Sequence, residues 1–160
     1  MQATKYMMGQ SSIWPLNKLF KLVPSMNGSM IEVVAGLIMQ QNKVLIARRA
    51  SHKSFPRKWE FPGGKVHQGE SHQEALQREL YEEFGIHTRV GDECCSVDHD
   101  YGDFMIRLTA FWAEYTDGML KLEDHDRIAW VPVENLLRYD MTEADHPIRD
   151  ALVRMFLNLE

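Results

Sequence analysis

The sequence predicts an α/β protein, a mixed β-sheet sandwiched between helices in three layers (α/β/α). Short β-branched runs lie on both sides of one strongly signalled helix, and a second helical pattern closes the chain. Brief connections between the runs let hairpins and short loops build most of the sheet. With 160 residues and 44% hydrophobic content, the chain suits one domain with a full core.

Residues 1–29 contain no acidic side chain and are interrupted by Pro15, Pro24 and Gly28. They are expected as a poorly ordered N-terminal extension, although the patch IWPLNKLFKLV also reads as a weak basic amphipathic element. The main domain is expected over 30–160. IEVVAGLIM and KVLIARR, separated by the polar turn QQN, form the first two strands. SHKSFPRKW is a polar loop that should end against a Gly-Gly turn in EFPGGKV. Ser71 followed by Glu74 is a capping box, so a helix begins there, and Gly85 ends it. HTRVGDECCSVDHDY and FMIRLTAFWAEY read as strands joined around Gly102 and Asp103, and IAWVPV reads as another. Pro147 opens the last helix, in which Ile148, Leu152, Met155, Phe156 and Leu159 keep helical spacing.

Charge narrows the choice of partner. The net charge is −5, and Lys5, Lys18 and Lys21 are the only charged side chains before Glu32, so the remainder carries −5 less those three positives, −8. An acidic body is a poor match for a nucleic-acid duplex, whose binding rests on Lys and Arg neutralising phosphates. A phosphate ligand would need a cation to intervene. Cys94 and Cys95 are adjacent and cannot staple distant segments, which suits a reducing compartment. No run approaches a membrane span, and no secretory signal is evident, so a cytoplasmic protein without a membrane partner is expected.

The stretch GKVHQGESHQEALQRELYEEFGI gathers five glutamates around one arginine. At about 100° per residue, Leu76, Leu80 and Phe84 form a buried stripe. Glu79, Glu82 and Glu83 share one arc beside it. Glu79 and Glu83 are an i,i+4 like-charge pair, costing roughly 0.2–0.5 kcal/mol on an open helix. With only Arg78 nearby, something cationic should fill the gap, and hard carboxylate oxygens suit magnesium or manganese. Gly63-Gly64 and Glu70 add a tight turn and a positioned acid. A solvated acidic face is the bland alternative.

Gly64, Glu70 and Arg78-Glu79-Leu80-Tyr81-Glu82-Glu83-Phe84-Gly85-Ile86 resemble the Nudix box, G-x5-E-x7-R-E-U-x-E-E-x-G-U with U apolar, at every defined position. ARR at 47–49, WEFPGGKV at 59–66, WVPV at 130–133 and ADHP at 144–147 are similar to MutT-like nucleoside triphosphate pyrophosphohydrolases. The likeness covers roughly residues 30–157 and implies a Nudix fold. It implies that Glu79, Glu82, Glu83 and the Gly64 carbonyl hold a divalent ion, that Arg78 orients Glu79, and that Glu70 braces loop to helix. Glu79 would accept a proton from the attacking water, and the products would be a nucleoside monophosphate and pyrophosphate. Asp124 matches a further acidic ligand, although relatives usually have Glu there; an exposed turn rich in Asp is the other reading.

The resemblance also assigns Arg49, Phe61, Lys65, Tyr101 and Asp145 to the substrate. Taken alone, Phe61 reads as core, and Arg49 and Tyr101 read as edge-strand surface. Asp145 stands where the MutT prototype reads an oxidised guanine with Asn. An ionised Asp only accepts hydrogen bonds, which permits 8-oxo-dGTP and leaves CTP or dCTP open; capping the last helix is its other role. GGK at 63–65 is no P-loop, because Val66 stands where Ser or Thr is needed. Hydrolysis of 8-oxo-dGTP-type triphosphates by a monomer or weak homodimer is the expectation. A pyrimidine triphosphate pyrophosphohydrolase, a dinucleoside polyphosphate hydrolase and a non-catalytic Nudix binding module follow it.

Overall fold

The structure is a computed structural model and describes residues 30–158. The anticipated extension 1–29, with its IWPLNKLFKLV patch, and Leu159 lie outside the described residues. β1 (Ile31–Gln40) and β2 (Lys43–Arg49) join through Gln41 and Asn42, at φ 48° and 61°. Two successive left-handed residues make the type I′ turn whose twist matches its flanking strands.

A loop over 50–58 leads to β3 (Trp59–Glu60) and then β4 (Gly63–Lys65), which pairs antiparallel with β1. The expected Gly-Gly turn is therefore a short strand. A Cβ on Gly63 would stand 1.9 Å from the Val34 carbonyl oxygen, so only glycine lets these two backbones meet.

α1 (His72–Phe84) keeps the bounds its capping box predicts. Ser71 Oγ accepts from the Glu74 amide at 3.3 Å, the Glu74 carboxylate accepts from the Ser71 amide at 2.8 Å, and Gly85 closes the helix at φ 68°. β5 (Ile86–Asp100) and β6 (Met105–Gly118) form a long antiparallel pair. β7 (His125–Pro132) begins earlier than IAWVPV and lies antiparallel on β2. A 3-10 segment, Val133–Arg138, and a 3-10 turn, Glu143–Asp145, lead into α2 (His146–Leu157).

β1 is the branch point of the sheet. Its body runs parallel to β6 from Ile31 opposite Ile106 to Ile38 opposite Ala113, and its other edge takes β4 and then β2. One parallel pair among antiparallel ones makes the sheet mixed.

Alternation along β1 and β2 divides the core into two layers. Val34, Ile38, Leu45 and Ala47 pack with Leu76, Leu80 and Phe84 of α1. Ala35, Leu37, Val44 and Ile46 pack on the other face with Ile148 and Leu152 of α2. The three-layer expectation holds. On α2 the buried stripe runs through Ile148, Leu152 and Val153, whereas Met155 and Phe156 are exposed among the described residues. Among the described residues no helix is long and apolar enough to cross a membrane. Cys94 and Cys95 are free thiols on β5, and burial pushes Cys94 up to about 12.

Candidate active site

Arg78 organises the acidic end of α1. Its guanidinium forks onto Glu70, with Nη2 to Oε1 at 2.6 Å and Nε to Oε2 at 3.0 Å, and Nη2 also donates to the Lys65 carbonyl at 2.9 Å. Nη1 donates to Glu79 Oε1 at 2.9 Å and to Glu82 Oε2 at 3.2 Å. One side chain thus ties β4, the loop before the helix, and the helix itself. Glu70 is fixed from its other side by the His67 amide at 2.5 Å, and the Arg78 hydrogen bonds hold its carboxyl below the usual range.

The three helix glutamates have different surroundings. Glu79 is 12% exposed and lies against Gly64, where a Cβ would be 2.3 Å from its carboxylate carbon. Burial pushes Glu79 up, partly offset by Arg78. Glu83 is pushed up to about 8, first by burial and then by Glu79, Glu60 and Asp124. Glu82 is 57% exposed on the outer side of Arg78, away from the cavity that Glu79 and Glu83 line.

Asp124 lines that cavity too, at 15% side-chain exposure, so it is no exposed turn residue. Its carboxylate meets Lys53 Nζ at 2.7 Å. Its neighbours point elsewhere, Glu123 to Lys121 and Asp126 to Arg48.

Among the described residues no three His, Cys, Asp or Glu side chains are arranged to hold an ion as they stand. Arg78 and Lys53 occupy Glu79 and Asp124 instead. The donor set nonetheless fits a hard divalent cation. Hard carboxylate oxygens and the Gly64 backbone share one wall of the cavity, and burial with the neighbouring carboxylates Glu79, Glu60 and Asp124 pushes Glu83 up, a repulsion that a cation would relieve.

The cavity holds about 400 Å³ and continues from this acidic wall to an aromatic and polar end. Phe61 is 3% exposed, so it belongs to the core and lines the cavity at once. Tyr101 also lines it and packs against Phe55 (5.3 Å between centroids), Phe104 (5.1 Å) and His99 (4.4 Å). Burial and the nearby Asp145 push the Tyr101 hydroxyl up. Lys65 lines the cavity beside Gly64, and burial lowers its ammonium.

Asp145 is 4% exposed. It occupies the N-cap position of α2 without capping it: its carboxylate accepts from the Thr142 hydroxyl and from the Phe61 amide at 3.4 Å.

Arg49 is buried rather than on an edge surface. It places Nη1 on both carboxylate oxygens of Glu60 (2.9 and 2.8 Å) and donates through Nε to the Ser54 carbonyl at 2.5 Å. Burial pushes Glu60 up, but Arg49 and His125 outweigh it and leave the carboxyl below the usual range.

Glu60, His125 and Lys53 were not legible as site residues. His125 Nε2 lies 2.6 Å from Glu60, its ring stacks on Phe84 at 4.9 Å, and its buried Nδ1 has no hydrogen-bond partner and faces Glu83 Oε2 at 3.9 Å. The sequence carried one faint signal of this, a glutamate set between the apolar Trp59 and Phe61.

The chain matches the family model described as NUDIX domain over residues 33–151. It is 36% identical over 126 residues to the CTP pyrophosphohydrolase of Escherichia coli (strain K12), covering 79% of this chain and 93% of that protein. It is 29% identical over 126 residues to the 8-oxo-dGTP diphosphatase of the same organism, covering 78% and 98%. Among solved structures, the MutT protein of Methanosarcina mazei Go1 superposes with a TM-score of 0.72 at 28% identity over 85% of this chain and all of that one. The solution structure of the E. coli ORF135 protein gives 0.70 at 37% identity, over 82% and 92%. With the box, the three layers and these likenesses in agreement, the chain belongs to the Nudix hydrolase family and is an enzyme acting on nucleotides.

Proposed function

We propose that this enzyme hydrolyses nucleoside triphosphates at the internal phosphoanhydride, releasing a monophosphate and pyrophosphate, with a divalent ion as cofactor. The observation that carries this reading is the cavity itself, with Glu79 packed against Gly64 and Glu83 beside them at one end, and Tyr101, Phe61 and Asp145 at the other.

Magnesium or manganese, when bound, would neutralise the polyphosphate oxygens and polarise the scissile bond. Glu79, Glu82, Glu83, Asp124 and the Gly64 carbonyl are the residues that would hold it. Glu82 would have to turn inward from its place on Arg78. Arg78, clamped by Glu70, fixes the Glu79 carboxylate so that it can accept a proton from the attacking water. Lys65 and Arg49 stand along the wall as cations for the substrate.

The base is read at the far end. Burial, then Glu60, pushes the Asp145 carboxyl up to about 7. Ionised, it accepts from N1 and N2 of a guanine or from the amine of a cytosine; protonated, it can also donate. Removal of oxidised purine triphosphates such as 8-oxo-dGTP is the reading we favour. Hydrolysis of CTP or dCTP is the second, supported by the CTP pyrophosphohydrolase relative. The protein would act in the reducing cytoplasm as a monomer or weak homodimer, without binding duplex nucleic acid.

Pyrophosphate release in magnesium by wild type and Glu79→Gln tests the reaction. A loss of roughly 10²–10⁴-fold is expected for the variant, and equal rates would overturn the reading. Competing 8-oxo-dGTP, dGTP, CTP, dCTP and diadenosine polyphosphates by kcat/KM tests selectivity; a preference for cytidine nucleotides would move the assignment to the second reading.

A further inference from the structure

Lys53 stands on the loop between β2 and β3 and lines the cavity with Asp124, Glu79 and Glu83. Its Nζ is 2.7 Å from Asp124 Oδ1, and the two side chains are only 20% and 15% exposed. Behind them the backbone is fastened. The Ala50 amide donates to the Asp124 carbonyl at 3.2 Å, and the Lys53 amide donates to the Ala50 carbonyl at 3.0 Å. The loop and Asp124 thus keep their register whatever the ammonium does at the end of its flexible stem.

Arg49 is differently placed. Both carboxylate oxygens of Glu60 and two atoms of Ser54 hold its guanidinium. Lys53 instead holds Asp124, an acid on the wall proposed above to take a divalent ion.

We propose that Lys53 is an exchangeable cation, neutralising Asp124 until a divalent ion takes that carboxylate, and then binding the polyphosphate of the nucleoside triphosphate. This rests on the metal-dependent hydrolysis proposed above. Asp124 cannot serve both cations fully, and a divalent ion shared with Glu79 and Glu83 outcompetes a single ammonium. The displaced ammonium is left largely out of water, where an unpaired charge is costly. The anion entering the same cavity is the polyphosphate, and a compact ammonium binds phosphate oxygens well. Ion and nucleotide therefore bind with positive coupling through Lys53, and by linkage each raises the affinity for the other.

Two titrations on the intact protein test the exchange: Mn²⁺ alone followed by electron paramagnetic resonance, and an α,β-methylene triphosphate analogue followed by calorimetry at saturating Mn²⁺. Removing the competing ammonium in Lys53→Met should tighten Mn²⁺ alone by roughly two- to fivefold. The same change should weaken the analogue by roughly tenfold. A residue with a merely structural part in the loop would not move the two affinities in opposite directions. Lys58→Met, which removes the partner of Asp140 on the outer side of the same loop, should match wild type in both titrations.

In wild type, the Nζ resonance of ¹⁵N-labelled Lys53 should shift on adding Mg²⁺ and again on adding the analogue; this measurement stands if the variant does not fold. Unchanged affinities, both affinities weakened together, or a stationary Lys53 resonance would overturn the exchange. If Glu79→Gln keeps full activity, the hydrolysis reading itself falls; if Glu79→Gln is inactive while Lys53→Met matches wild type in both titrations, only the exchange falls.

Discussion

Asp145 and Arg78 show how much a single side chain carries here. Asp145 is buried with two hydrogen bonds, and burial, then Glu60, pushes its carboxyl up to about 7. A carboxyl raised on folding stabilises the protein fully below its unfolded value near 3.8, and that contribution is lost as pH rises through about 7. Asp145→Asn removes the buried charge, so its melting temperature should fall less than that of wild type between pH 5.5 and 8.5. Thermal melts at the two pH values check this. Arg78→Lys keeps the charge but loses the fork that joins Glu70, Lys65 and Glu79. It should lower kcat by roughly 10- to 100-fold with a smaller change in KM, measured by steady-state pyrophosphate release. The position of both residues was legible in the sequence. For Asp145 the sequence left two roles open, substrate contact by resemblance and a helix cap by its spacing before Pro147, and the packing of Phe61 and Thr142 around it turns the carboxylate away from the cap.

At the scale of elements, the box is a strand, a loop and a helix held at fixed distance. α1 was readable to the residue because its signals are local: a capping box at Ser71, an apolar stripe, and glycine in the left-handed region at Gly85. β4 was not readable, since Gly63 and Gly64 look like a turn until β1 lies beside them. The two glycines should separate by substitution. In Gly63→Ala the new Cβ meets the Val34 carbonyl oxygen at 1.9 Å, backbone against backbone, and the protein should lose cooperative unfolding by circular dichroism. In Gly64→Ala it meets the Glu79 carboxylate, so the fold should persist while pyrophosphate release collapses.

For the whole molecule, the sheet is a partition between two apolar layers with different duties. The layer around Leu76, Leu80 and Phe84 seats the helix that carries the acids. The layer around Ile148 and Leu152 seats α2 and the turn that delivers Asp145. Leu152→Ala, fully buried in the second layer, should cost roughly 2–5 kcal/mol in urea unfolding. The magnesium concentration for half-maximal activity should stay unchanged, because α1 is untouched.

The sequence by itself determined the class, the long strands and both helices, the family and the acidic helix, because periodicity, capping and the fixed spacing of the box act over a few residues. Only the tertiary structure decided that β1 runs parallel to β6 and that Asp124 and Arg49, expected by resemblance at the site, line one cavity with Asp145 rather than lying on an exposed turn and an edge-strand surface. It alone turned Glu82 outward, buried Glu60 beside Arg49 and His125, and set Lys53 on Asp124. Those placements depend on which distant segments are brought close enough for a charge to lose its water and need a partner, and no stretch of neighbouring residues encodes that.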